Sequence, residues 1–291
     1  MHSLQSIPFP DESTILQSFN QHGYHVARGL LNRSETQRPL DDFHLALKRK
    51  LAQLGLPLNH DNDNLALRDN MATLLHHDKT LYLRLLRLAS RLHSVAALAM
   101  NQRIIDTLGR LGMNTLSITA GFAAHIVSNE LRIPGGYLGW APHQDWTAGQ
   151  GSLKQIVVWA PLMDVDASFY ALKLIPGSHR RGVWKADREK VISRGALIEI
   201  DTAQYTDADW RTVDMARGDV AFMSGFLVHT TGEGRKSGVR IACGARYEDI
   251  TEPTYIERGY PCAFNGQTAT QEELHPGFPT AEQVARVYED S

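Results

Sequence analysis

Two histidines and one carboxylate have the types and spacing to do chemistry: His143-Gln144-Asp145, and a distant His229. Imidazole and carboxylate together suit ferrous iron. Two His and one Asp on one face of a mononuclear ion leave three positions open for a co-substrate and oxygen. On an extended segment His143 and Asp145 point to the same side and Gln144 to the other, because strand side chains alternate. His229 must then arrive from a neighbouring strand or its exit. Beyond it stands Arg240, on a run that reads as a strand. A guanidinium there can form a bidentate pair with a carboxylate. Metal site plus carboxylate clamp is what an enzyme needs to hold 2-oxoglutarate against iron. With 13 histidines in the chain, a His-x-Asp pair can also arise by chance. His76-His77-Asp78 is a rival cluster, read as a helix cap in solvent because it ends a helical segment in polar surroundings.

The elements that must position these residues change character along the chain. Residues 1–113 read as mostly helical. A short helix opens at Asp11-Glu12-Ser13-Thr14 and runs through Phe19, with its acidic residues favourable at the start. A second runs from Pro39 to Leu54, where Leu40, Phe43, Leu47 and Leu51 recur at helical spacing. Pro39 suits a first helical position and Gly55 the stop. In a third, Leu81, Leu85, Leu88, Leu92 and Val95 form one stripe that should lie against a sheet. Arg84, Arg87 and Arg91 form a solvated face.

Residues 114–250 carry short β-prone runs: Thr115–Thr119, Ala124–Ser128, Gln155–Trp159, Ala171–Ile175, Ala196–Ile200, Asp219–Met223 and Val239–Tyr247. Turn signals such as Pro134-Gly135-Gly136 and Pro176-Gly177 separate them. Many short strands after a helical block predict a mainly β sandwich or barrel with helices packed outside. Residues 251–291 read as an extension ending in a helix at Ala281–Tyr288, with Thr280 and Gln283 as its capping box. No repeat or linker is evident, so 1–291 reads as a single domain.

The motif surroundings resemble the phytanoyl-CoA dioxygenase family of Fe(II)/2-oxoglutarate oxygenases. Gly139-Trp140-Ala141-Pro142-His143-Gln144-Asp145-Trp146 comes first, then Val157-Val158-Trp159-Ala160-Pro161-Leu162-Met163-Asp164. Leu174-Ile175-Pro176-Gly177-Ser178-His179, Gly218-Asp219-Val220, His229 and Arg240 follow in the family's order. The resemblance implies a double-stranded β-helix, or jelly roll, with a helical N-terminal region. It implies that His143, Asp145 and His229 ligate Fe(II). It implies that Arg240 binds the distal carboxylate of 2-oxoglutarate with Thr231, and that O2 is the other co-substrate. Trp159 falls where the family often places an aromatic beside the co-substrate; plain core packing is the alternative. His179 reads as structural. His125, Asn129 and Arg132 are alternative further contacts to 2-oxoglutarate. Met163–Ala171 replaces the family's usual Asn-Gly turn. Asp145 fills the position that related halogenases leave for chloride, which points to hydroxylation or another oxidation.

Composition narrows the partners. A net charge of −2 gives no general attraction to nucleic acid or anionic membrane. The apolar stretch Leu81–Met100 is interrupted by Arg84, Arg87, Arg91 and His93 and does not read as a membrane span. Cys243 and Cys262 read as free thiols of a reducing cytosol, and the first residues lack the pattern of a signal peptide. The expectation is a cytoplasmic enzyme acting on a small-molecule metabolite; nothing in the sequence sets an oligomeric state. Tyr137, Trp140, Trp146, Arg180 and Arg181 flank the motifs. They suit a partly apolar or anionic substrate, or else packing and surface charge. Two rivals remain: a non-catalytic jelly roll that binds metal, and a nucleotide-binding enzyme. The second rests on Gly232–Gly238, but Arg235 precedes Lys236 where a P-loop needs Gly, and a strand follows instead of a helix. That segment reads as a flexible hairpin.

Overall fold

In the computed structural model, which describes residues 12–133, 139, 141–191, 198–262 and 277–289, helices precede most strands of three antiparallel sheets. The first part holds α1 (Glu12–His22), β1 (Tyr24–Ala27), α2 (Arg33–Gln53), α3 (Asn64–His77), α4 (Lys79–Ala89), α5 (His93–Ala99) and α6 (Gln102–Arg110). Then come β2 (Leu116–Val127), α7 (Trp146–Gly149), β3 (Ile156–Pro161), β4 (Leu172–Leu174), β5 (Ala186–Val191) and β6 (Ile198–Ile200). The chain continues with β7 (Arg211–Val213), β8 (Val220–Ser224), β9 (His229–Thr231), β10 (Arg240–Asp249), α8 (Pro253–Glu257) and α9 (Ala281–Arg286).

The major sheet has the order β1-β8-β3-β10-β2, and the minor sheet has the order β7-β4-β9. Strand periodicity divides the major sheet's residues between two cores. Val157 and Trp159 of β3, Ala221 and Met223 of β8 and Ala242 of β10 pack with Leu172, Leu174 and Val213 of the minor sheet. The alternate residues Ile156, Val158, Ala160, Val220, Phe222, Ile241, Cys243, Ala245 and Tyr247 pack with the helices, including Phe43, Leu47, Leu51, Leu85 and Leu98. Burial on both faces explains why β3 and β8 read as continuous apolar runs without a polar side. The result is the jelly roll with its helical layer outside.

Several local expectations change. The expected strands Thr115–Thr119 and Ala124–Ser128 are one strand, β2. Its register against β10 shifts where Arg246 pairs with Thr119 and Gly244 with Ala123. Tyr24–Ala27, expected in the helical block, pairs antiparallel with β8 at the sheet edge. Helix α2 starts at Arg33, so Pro39 lies inside it. The Glu35 carboxylate accepts from the Asn32 N–H at 2.7 Å and fixes that earlier start. An internal Pro costs a helix about 3 kcal/mol. Here it joins the buried stripe Thr36, Pro39, Phe43, Leu47 and Leu51, whose packing offsets that cost. The single stripe from Leu81 to Val95 is divided between α4 and α5. Leu92 is extended (φ −65°, ψ 134°). The Ser90 hydroxyl at the break accepts from the Ala124 N–H of edge strand β2 at 2.9 Å. Both helices do lie against the sheet, and Arg84, Arg87 and Arg91 are exposed.

The C-terminal helix has its expected capping box. Thr280 Oγ1 accepts from Gln283 N at 3.1 Å, and Gln283 Oε1 accepts from Thr280 N at 2.8 Å. Gly232–Gly238 links β9 of the minor sheet to β10 of the major sheet, so it is a crossover between sheets and not a hairpin. Pro134–Gly136 and Ala196 lie outside the described residues.

Candidate active site

His143 and His229 come together through backbone pairing. Each N–H donates to the other's carbonyl, at 3.0 and 3.1 Å, in an isolated antiparallel bridge. His229 opens β9, and its ring lies 4.2 Å from that of His143, centroid to centroid. Asp145 does not lie on an extended segment as expected. Its backbone is helical (φ −68°, ψ −30°), just before α7. The turn is held by Trp146, whose ring is fully buried and stacks on Phe226 at 5.0 Å, and whose backbone N–H donates to Gly225 O at 2.9 Å. Trp146 is therefore a packing residue and not part of a cavity mouth. Gln144 does point away: its amide donates to the Gly182 and Phe226 carbonyls and accepts from Trp184 N.

Ligand atoms from His143, Asp145 and His229 all lie within 4.8 Å of one another, and all three residues are buried. Both imidazoles are oriented through Nδ1, which lies 2.7 Å from Ala141 O in His143 and 3.0 Å from Leu227 O in His229. A carbonyl can only accept, so each Nδ1 carries the proton and each Nε2 keeps its lone pair for a metal. Burial, reinforced by the closeness of the His229 ring, which disfavours a second charge there, pushes the His143 pKa down to about 3, so its ring is neutral at pH 7. Burial alone would raise the Asp145 carboxyl. The Arg246 guanidinium and the His229 contact instead hold it well below the usual carboxylate range. Neutral imidazoles and an ionised carboxylate are the forms that bind metal. The residues present therefore fit a ferrous ion.

The cluster opens into a cleft between the sheets. Arg240, Thr231 and Trp159 all line it. Arg240 is 2% exposed, its Nη1 donates to His125 O at 3.3 Å, and its Cζ lies 5.5 Å from the centre of the Trp159 ring. Thr231 closes β9 opposite Leu172. A Cβ on Gly139 (φ +96°) would meet Thr231 at 2.7 Å, so only glycine lets the chain pass there. Of His125, Asn129 and Arg132, only His125 lines the cleft. Burial, then the charges of Arg240 and Arg246, push its pKa down to about 3. Asn129 donates its backbone N–H to the Tyr170 hydroxyl, and exposed Arg132 bonds Asn129 at 3.3 Å.

Two cleft residues escaped the sequence reading. Arg246 contacts Asp145 directly. Tyr170 adopts φ +51° within the segment that replaces the Asn-Gly turn. There Asp166 forms the turn instead, accepting from Ser168 N at 2.8 Å. The remaining candidates lie elsewhere. His179 is fully buried, its Nε2 donates to the Asn20 carbonyl at 3.0 Å, and it sits edge-on to Tyr288, as a structural residue should. His76 and His77 are exposed, and Asp78 caps α4 through Thr80 N and Leu81 N. Arg180 and Arg181 are exposed and line no part of the cleft; Arg181 lies over the Trp184 ring. Tyr137 and Trp140 lie outside the described residues. Cys243 and Cys262 are free thiols. Among the described residues no helix is long and apolar enough to cross a membrane.

The phytanoyl-CoA dioxygenase (PhyH) family model matches residues 19–242, and the chain belongs to that family. Solved structures share the fold. The apo form of ThoJ, a non-heme monooxygenase, superposes with a TM-score of 0.56 at 15% identity, covering 94% of this chain and 98% of that one. The epimerase SnoN, in complex with Fe3+, alpha ketoglutarate and nogalamycin RO, gives 0.53 at 18% identity, covering 82% and 84%. EctD from S. alaskensis with bound Fe gives 0.51 at 14% identity, covering 86% and 81%. No curated protein sequence matches the chain.

Proposed function

We propose that this protein is an Fe(II)- and 2-oxoglutarate-dependent dioxygenase that hydroxylates an unactivated C–H bond of a small-molecule metabolite, releasing succinate and carbon dioxide. The carrying observation is that the His143, Asp145 and His229 cluster and the buried Arg240 share one cleft. The three clustered residues would hold the metal, which when bound supplies oxygen activation coupled to decarboxylation of the co-substrate. Arg240 and Thr231 would take the far carboxylate of 2-oxoglutarate, with Trp159 as the wall beside it. Such orientation supplies much of the advantage of an enzyme over solution. Val157, Leu172 and Met223 line the same cleft and keep bulk water from it, which strengthens each charge contact inside.

The Fe3+ and alpha ketoglutarate held by SnoN and the Fe held by EctD, in the same fold, support this reading. SnoN is an epimerase and ThoJ a monooxygenase, so the fold serves more than one oxidative outcome. With a metal bound, Asp145 would fill the position that a halide would need, which favours hydroxylation over halogenation. The helical layer and the sheets share one apolar core and act as one oxygenase unit.

The test is succinate formation from 2-oxoglutarate by anaerobically iron-loaded protein after oxygen is admitted. Asp145→Ala is the control. Turnover at least about 10–100-fold above the control is expected once a substrate is present, since losing even an outer partner of a metal ligand costs about 10–100-fold. Tight iron binding without any oxygen-dependent succinate, across a broad screen of metabolites, would leave a jelly roll that only binds metal.

A further inference from the structure

We propose that Arg246 is a positioning residue that keeps Asp145 a one-oxygen ligand and so holds a coordination position open for the co-substrate. The proposal rests on the metal-centre reading above. Arg246 lies on β10 two residue pairs beyond Ala242, on the face that lines the cleft, and its side chain is 11% exposed. Its Nε donates to Asp145 Oδ1 at 2.7 Å, and its Nη2 donates to the same oxygen. The usual guanidinium–carboxylate fork spends one N–H on each oxygen. Here both N–H groups fall on Oδ1. The other oxygen, Oδ2, faces His229 Nε2 at 3.2 Å, inside the ligand cluster.

The division matters because a buried carboxylate beside a dication can offer one oxygen or two. Two oxygens would occupy two positions, and a facial triad leaves three open only when each ligand takes one. With Oδ1 bound by two charged donors, only Oδ2 is available to a metal. The electrostatic sign is also informative. Arg246 is a positive charge next to a site for a divalent cation, so removing it takes away a repulsion. A residue that merely supported the fold would weaken metal and co-substrate binding together. A residue that restrains Asp145 should instead preserve or tighten metal binding while weakening 2-oxoglutarate.

The experiment uses Co(II) as the probe, titrated into wild type, Arg246→Lys and Arg246→Met and read by visible absorption, which reports coordination number. 2-Oxoglutarate is then titrated into each Co(II) form. Expected for Arg246→Met is a Co(II) affinity equal to or above wild type and a changed Co(II) spectrum. Its 2-oxoglutarate affinity should be lower by about tenfold or more, the usual scale for outer partners of metal ligands. Arg246→Lys, with one charged donor still able to reach Oδ1, should recover part of that loss. Co(II) affinity falling in proportion to 2-oxoglutarate affinity, or an unchanged spectrum with unchanged 2-oxoglutarate binding, overturns the proposal. Should Arg246→Met not fold, the same two readouts on Arg246→Lys decide the matter. A wild type that binds no Co(II) overturns the metal-centre reading itself, which is a separate result.

Discussion

Strand β10 shows the protein's two regions back to back. Toward the helices it presents Ile241, Cys243, Ala245 and Tyr247, all buried in the outer core. The one phenol among them donates to Ala99 O, and burial pushes the Cys243 thiol up to about 12, so it behaves as a small apolar filler. Toward the cleft the same strand presents Arg240, Gly244 and Arg246. Buried guanidinium groups cost several kcal/mol each in lost hydration unless they are paired. The cleft face tolerates them because the opposite face is firmly packed and because each has acceptors or a carboxylate within reach. Stability and chemistry are therefore separated by one residue of register, and substitutions on the two faces should fail in different ways.

The strongest test of this division is on the helix side. Ile241→Ala should lower unfolding free energy by about 2–5 kcal/mol, measured by denaturant titration, while succinate turnover per folded molecule stays near wild type. A turnover loss as large as the stability loss would break the division. On the cleft side, Arg240→Ala should raise the 2-oxoglutarate concentration needed for half-maximal turnover by about 30-fold or more, in line with the roughly 2–5 kcal/mol lost when a buried charge pair is truncated. Iron affinity should hardly move. Equal loss of both affinities would count against Arg240 as the carboxylate clamp.

A third test uses pH. Glu248, beyond Arg246 on β10, is buried and accepts from Thr119 Oγ1, Gln155 Nε2 and Ser152 N. Burial outweighs those bonds and pushes its pKa up to about 7, from an ordinary 4.5. The folded protein thus holds a proton that the unfolded chain releases. The stability this contributes is complete below pH 4.5 and is lost as pH rises through 7. His125 has the opposite sign. Its folded pKa of about 3 lies below the ordinary 6.5, so its contribution is complete above 6.5 and is lost as pH falls through 3. Glu248→Gln should flatten the decline between pH 4.5 and 7 by roughly 1–3 kcal/mol in stability measured on metal-free protein. An unchanged pH profile would show that Glu248 does not titrate there. The smallest effect belongs to the periphery: Thr280→Ala should cost about 1 kcal/mol as the cap of α9 is lost, with no change in 2-oxoglutarate demand. A change there would mean that α9 reaches the chemistry.

The site was legible to different depths for different residues. Metal-binding side chains are few in kind, so His143, Asp145 and His229 could be chosen from types and order alone. The backbone that delivers Asp145 could not, because alternation predicts a strand and the anchored Trp146 makes a helical turn instead. Arg246 left a readable signal, an even offset from Arg240 on one strand, which places both on the same face. Tyr170 left none, since its left-handed backbone follows from the Asp166 turn and the crossing at Glu233 O. Some short strands, though not Leu172–Leu174, were missed for a related reason. Tyr24–Ala27 and His229–Thr231 have four and three residues, too few for a period to show, and each exists only because a distant strand supplies its hydrogen bonds.

By itself the sequence singled out the three residues that the fold clusters, the order of most helices before strands, the cap at Thr280 and the apolar runs of the major sheet. These depend on residue type and on local periodicity, which are written along the chain. Tertiary structure decided which oxygen of Asp145 faces the ligand cluster, which of three polar residues on β2 and its exit enters the cleft, and whether α2 runs on through its internal Pro39. Each of those depends on what a distant segment places alongside: Arg246 on Asp145, β10 beside His125, and the shared core against α2.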